Sequence, residues 1–98
     1  MTEQLNKLQH ISNLFYTEPQ VKAAELLTAK TGMSKVFFGN SGAEANEAAI
    51  KTARKYGSKV KGNSLNKIVT LVNSFHGRTM ATITATGQDH YHQYFTPF

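Results

Sequence analysis

An α/β architecture is predicted by the order in which helical and strand-like segments alternate along this sequence. Residues 17–31 and 41–56 carry helical periodicity with their own start signals. Two short apolar runs, "KVFF" at 35–38 and "KIVTLVNS" at 67–74, read as strands. The second is β-branched and unbroken, as buried parallel strands are. Helix, strand, helix, strand in that order is the pattern of a parallel sheet with helices packed around it. The chain has 98 residues, 40% hydrophobic and 17% charged, which suits one modest domain and not a disordered tail.

At the N-terminus, "LNKLQHISNLF" spaces Leu5, Leu8, Ile11 and Leu14 at three-residue steps, which predicts a helix over 5–15. In "TEPQVKAAELLTAKTG", Thr17 and Gln20 fit a capping box and Pro19 suits a first turn. Val21, Ala24 and Leu27 then form an apolar face, and Gly32 is a stop. In "GNSGAEANEAAIKTARKYG", Ser41 and Glu44 make a second capping box. Glu44 and Glu47 lie near the positive end of the helix dipole, Lys51, Arg54 and Lys55 near the negative end, and Gly57 is the expected stop. "GSKVKGNSLN", residues 57–66, reads as a polar surface loop. "FHGRTMATITATG", residues 75–87, is open between strand, from its Thr and Ile content, and short helix, from its Ala and Met spacing. The aromatic tail "QDHYHQYFTPF" has no regular pattern, and the chain contains no internal repeat.

Composition removes several function classes. There is no cysteine, so neither disulfides nor thiolate metal sites arise. No apolar run approaches the roughly 20 residues that span a bilayer, and "MTEQLNKLQH" lacks the pattern of a signal peptide. A soluble cytoplasmic protein without membrane partners is expected. The net charge of +5 does not predict a nucleic-acid partner, because nine of the eleven basic residues are lysines spread along the chain. The pair His90 and His92 has no third ligand beside it, so no metal site is expected.

Two motifs carry candidate chemistry. A helix start presents unpaired backbone N–H groups and a partial positive charge, which attract anions. At 41–43, Gly42 leaves room for an approaching ligand, Ala43 adds only a methyl, and the Ser41 hydroxyl can cap the helix or meet an anion. Plain capping and an anion seat both fit that turn. Neither a G-K-[ST] nor a G-x-G-x-x-G follows, so it is not a nucleotide loop. In "SFHGRT", directly after the second apolar run, Phe75 can stack on a planar ring or enter a core. Arg78 can hold a carboxylate bidentately or simply face water, and His76 can carry a proton or pack. Ligands of open α/β sheets collect at the carboxyl ends of strands, where this motif would lie.

Together, "FFGNSGAEANEAAIKTARKYG" and "IVTLVNSFHGRTMATITATG" in that order resemble the class-III pyridoxal-phosphate-dependent aminotransferases. "LQHISNLFYTEPQ" is similar to the segment preceding the phosphate motif in that family, so the resemblance covers nearly the whole chain. Within the family it is closest to the members that use N-acetylornithine, with ornithine users next. The resemblance implies fold type I, with residues 1–98 as a single partial domain, an internal fragment of the large cofactor-binding domain. It implies pyridoxal 5'-phosphate as cofactor, held by Ser41, Gly42 and Ala43 at the phosphate and by Phe75 and His76 at the ring, with Arg78 taking a substrate carboxylate. The implied reaction moves a terminal amino group from an ornithine-like donor to 2-oxoglutarate, as in arginine biosynthesis, in a homodimer. The family's catalytic lysine and the acidic partner of the pyridine nitrogen belong to segments downstream of "FHGR" that this sequence does not contain. No residue here is therefore assigned as catalytic, and the chain by itself is expected to be inactive. A non-catalytic phosphate-binding module and an idle structural fragment are the alternatives of another class.

Overall fold

The computed structural model describes residues 1–62 and 66–98. Asn63, Ser64 and Leu65, part of the expected polar loop, lie outside the described residues. The chain divides into two units, Met1–Val36 and Phe37–Phe98.

In the first unit, helix α1 covers Thr2–Leu5 and helix α2 covers Glu18–Thr31. The helix expected over 5–15 is thus not formed: a turn at residues 6 and 7 ends α1. Three-residue spacing supplies a stripe, but short helices are held by what covers the stripe, and Leu14 is 86% exposed. Helix α2 begins and ends where expected. Thr17 is its N-cap, Pro19 lies in the first turn, and Gly32 ends it with φ 72°, donating to the Thr28 carbonyl at 2.9 Å. The Thr17 capping box is not made, since the threonine side chain forms no capping bond. Instead, an exposed Glu18–Lys22 ion pair at 2.6 Å spans the first turn.

The second unit is built on helix α3, Gly42–Tyr56, and the short helix α4, Met80–Ala85. Ser41 caps α3 as expected, its Oγ accepting from the Glu44 N–H at 3.2 Å. The return bond of the box lands one residue earlier, with Glu44 Oε2 accepting from the Asn40 N–H at 2.6 Å. Gly57 does not stop the helix. Its φ and ψ of −55° and −46° are helical, and the chain runs on through a π turn, Gly57–Lys61. A glycine ends a helix by turning left-handed, and the positive φ falls at Gly62 instead, at 82°.

Residues 75–87 resolve into a loop and then α4. Thr79 and Thr82 form a capping box at its start, and Thr82, Ile83 and Thr86 are buried. His92 closes the other end, its Nε2 within 3.0 Å of the Ile83 carbonyl and 2.7 Å of the Thr86 carbonyl. A 3-10 turn, Asp89–Tyr91, precedes it.

The incomplete parallel sheet expected from 35–38 and 67–74 is not formed: no strand ladder occurs among the described residues. Residues 66–71 lie outside helices and turns, then a turn at 72 and 73 leads to two bonds with Gly87. There the Asn73 N–H donates to the Gly87 carbonyl at 2.8 Å and the Gly87 N–H to the Ser74 carbonyl at 3.0 Å. β-Branched residues favour extended backbone, but a ladder needs a partner strand. Val69 and Val72 stand 92% and 88% exposed.

Candidate active site

The site starts from the first turn of α3. Of its early N–H groups, that of Glu44 is taken by Ser41 Oγ and that of Ala45 by the Ser41 carbonyl. Those of Gly42 and Ala43 have no partner among the described residues, as helix geometry dictates for first-turn donors. A Cβ placed on Gly42 would meet nothing within 4 Å, so the space beside these donors is open.

The loop 75–79 lies across the same end of α3. Gly77 has φ 132°, and a Cβ there would come within 2.8 Å of the Ala43 Cβ and 2.6 Å of Thr82 Oγ1. Both Gly77 and Ala43 are small because the two segments touch at that point. Asn46 Nδ2 donates to the His76 carbonyl at 2.8 Å, and the His76 N–H donates to Thr86 Oγ1 at 3.0 Å. Thr86 Oγ1 in turn lies 3.2 Å from the Gly77 carbonyl. Thr79 Oγ1 donates to Glu47 Oε1 at 2.5 Å.

These contacts bring all the sequence-predicted site residues together. Ser41, Gly42 and Ala43 line one cavity of about 570 Å³ with Phe75, His76 and Arg78, and Asn46 is part of the same wall. His76 Nε2 is buried and without a partner among the described residues. Phe75 is half exposed, with its ring 5.2 Å from that of Tyr91. Arg78 is exposed. Unpaired N–H donors beside open space suit a phosphate, and a half-exposed aromatic face suits a planar ring. The lining therefore fits pyridoxal phosphate. A second concavity of about 560 Å³, between Ile50 and Arg54 of α3, residues 66–70 and Phe98, contains none of these residues. Arg54, Asn66, Lys67, Thr70 and Thr84 are its polar lining, beside Ile50, Ile68, Val69 and Phe98.

Sequence reasoning missed the residues that assemble the site: Asn46, Glu47, Gly77, Thr79, Thr82 and Thr86. The threonines at i, i+3 and i+7 were a usable signal, since that spacing lines one helical face. Among the described residues no group of three His, Cys, Asp or Glu is placed to hold a metal. No helix there is long and apolar enough to cross a membrane.

Glu47 carries an acid-dependent contribution. The Thr79 hydroxyl, then the backbone N–H groups of Thr82 and Ala81 and the charge of Lys51, hold its carboxyl below the ordinary carboxylate value. A carboxyl lowered by folding stabilises fully above its unfolded pKa of about 4.3, and that stability is lost as pH falls through the lower folded value. Glu47→Gln in the complete protein is expected to lessen the loss of stability between about pH 5 and pH 3. Urea midpoints across that range measure it; parallel midpoint curves for both proteins would contradict it.

The aminotransferase class-III family model matches residues 1–98. An acetylornithine aminotransferase of Haemophilus ducreyi is 58% identical over 95 residues, covering 97% of this chain and 24% of that protein. One from Gloeobacter violaceus is 56% identical over 97 residues, covering 99% and 24%. An acetylornithine/succinyldiaminopimelate aminotransferase of Buchnera aphidicola is 50% identical, covering 99% of this chain and 24% of its own length. A crystal structure of a Bacillus anthracis aminotransferase superposes with a TM-score of 0.86 at 38% identity, over 99% of this chain and 22% of that one. The chain spans about a quarter of the length of these relatives.

Proposed function

The chain belongs to the class-III aminotransferase family, and from that premise we propose that it forms the phosphate- and ring-binding part of a pyridoxal-phosphate enzyme's large domain. The observation that carries the reading is one cavity joining the unpaired Gly42 and Ala43 N–H groups to Phe75, His76 and Arg78.

In this reading Gly42 and Ala43 donate their N–H groups to the cofactor phosphate, and the Ser41 hydroxyl assists while it caps α3. Phe75 covers a ring face, and His76 stands beside it as the second residue at the ring. Arg78 gives two parallel donors to a substrate carboxylate. When bound, pyridoxal phosphate supplies an electron sink, and these residues supply orientation and charge. No lysine of this chain is assigned to catalysis, and residues 1–98 as an isolated polypeptide are expected to turn over nothing. Residues 35–38 and 67–74 become strands of the fold type I sheet in the complete enzyme, a reading supported by the exposure of Val69 and Leu71.

The substrate pair is an acylated ω-amino donor, N-acetylornithine first, and 2-oxoglutarate, in a cytoplasmic homodimer serving arginine biosynthesis. The names of the relatives support acetylornithine, and one double name supports succinylated diaminopimelate as a second donor. Unacylated ornithine is the alternative within the family.

Arg78→Lys in the complete enzyme tests the assignment. Lysine keeps the charge and loses the fork, so kcat/KM for carboxylate substrates is expected to fall by about 1–3 kcal/mol in transition-state stabilisation. A simple amine donor without a carboxylate should lose much less, with cofactor absorbance unchanged. Equal losses for both donors would remove Arg78 from the substrate site.

A further inference from the structure

Three side chains on one face of α3 hold three residues of the loop that carries Arg78. Ala43 abuts Gly77, Asn46 Nδ2 donates to the His76 carbonyl at 2.8 Å, and Glu47 accepts from Thr79 at 2.5 Å. Positions 43, 46 and 47 stand at i, i+3 and i+4, so they share that face. Of residues 76–79, only Arg78 has none of these links. Its backbone is held on both sides while its side chain stays exposed.

Asn46 is the unexpected member of this set. α3 is rich in alanine, with Ala43, Ala45, Ala48, Ala49 and Ala53, and asparagine is a poorer helix former than alanine. Position 46 is half-buried, lines the cavity, and reaches a carbonyl 30 residues away in sequence. Its bond is also the link from α3 closest to Phe75.

We propose that Asn46 is a positioning residue for the substrate carboxylate. Through the His76 carbonyl it holds Phe75 and Arg78 at a fixed offset from the Gly42 and Ala43 N–H groups. One rigid helix thereby registers the carboxylate clamp against the phosphate seat. The inference rests on the reading of Gly42, Ala43 and Arg78 given above. If Asn46 served only to stabilise the loop, its loss would lower the unfolding midpoint and leave ligand geometry unchanged in the folded protein.

The test uses the complete holoenzyme with Asn46→Asp and Asn46→Ala. Aspartate keeps the size but sets an acceptor against the carbonyl; alanine removes the bond in a residue that favours helix, and carries the test if the aspartate variant does not fold. Pyridoxal phosphate affinity is expected to fall far less than in Gly42→Val, since the phosphate donors are untouched and only the ring contacts shift. The visible circular dichroism of the bound cofactor should weaken as the ring loses its fixed orientation. KM for 2-oxoglutarate should rise roughly three- to tenfold, the worth of one hydrogen bond, with a smaller change in kcat and a larger effect for aspartate. Folded variants with native dichroism and native KM would overturn the proposal, whatever their thermal midpoints. If Gly42→Val retains cofactor as the native enzyme does, the underlying site reading has failed. If Gly42→Val loses cofactor while the Asn46 variants behave as native, only the positioning role has.

Discussion

Gly77→Ala is expected to destabilise the complete protein by about 3 kcal/mol or more. Two independent costs add: overpacking, typically 1–3 kcal/mol, and a backbone region that L residues avoid, of order 1–3 kcal/mol. The new methyl would come within 2.6 Å of Thr82 Oγ1 and 2.8 Å of the Ala43 Cβ, at a φ of 132°. Neither neighbour has room to yield, because Thr82 is fully buried and bonded to Thr79, and Ala43 sits in the first turn of α3. Equilibrium urea unfolding measures the loss. Gly42→Ala is the control, the same chemical change where a Cβ meets nothing within 4 Å. Adding Ala43→Gly to Gly77→Ala should recover part of the stability, since it removes one of the two close contacts. A native-like midpoint for Gly77→Ala would mean that α3 and the loop are not packed at this point.

Gly42→Val should have the opposite profile, with stability kept and cofactor lost. Gly42 opens α3, and open space surrounds its Cβ position. Valine is also a better helix former than glycine by a few tenths of a kcal/mol, so the apoprotein should unfold at or slightly above the native midpoint. The branched side chain fills the space from which a phosphate would reach the Gly42 and Ala43 N–H groups. Hydrogen bonds to a charged group contribute about 1.5–3 kcal/mol each, so losing one lowers cofactor affinity by at least about tenfold. Titration of the apoenzyme with pyridoxal phosphate gives the affinity, and inorganic phosphate as competitor reports on the anion seat alone. Native affinity in this variant would restore simple capping as the whole role of the 41–43 turn.

What the sequence determined by itself was local. The end of α2 at Gly32 and the start of α3 at Ser41 were legible because a cap depends on backbone groups within about four residues; the start of α2 fell at Thr17 as expected, with Pro19 in the first turn and without the side-chain cap. The two candidate motifs are local in the same sense: "NSGAE" and "SFHGRT" each hold their special residues within a few positions. Elsewhere, local signals left the outcome undetermined. The leucine spacing at 5–15 gave no helix, since periodicity supplies a face and not the surface that buries it. The β-branched run at 67–74 gave no ladder among the described residues, since its hydrogen bonds need a partner strand. Residues 80–85 were balanced between strand and helix. The helix is made from outside as well as within, by Glu47 bonding Thr79 from 32 residues away and His92 reaching the last turn. The joining of the two motifs was likewise a tertiary decision. It turns on the contact of Gly77 with Ala43 and the reach of Asn46 to the His76 carbonyl, pairs about thirty residues apart whose bonds no local pattern encodes.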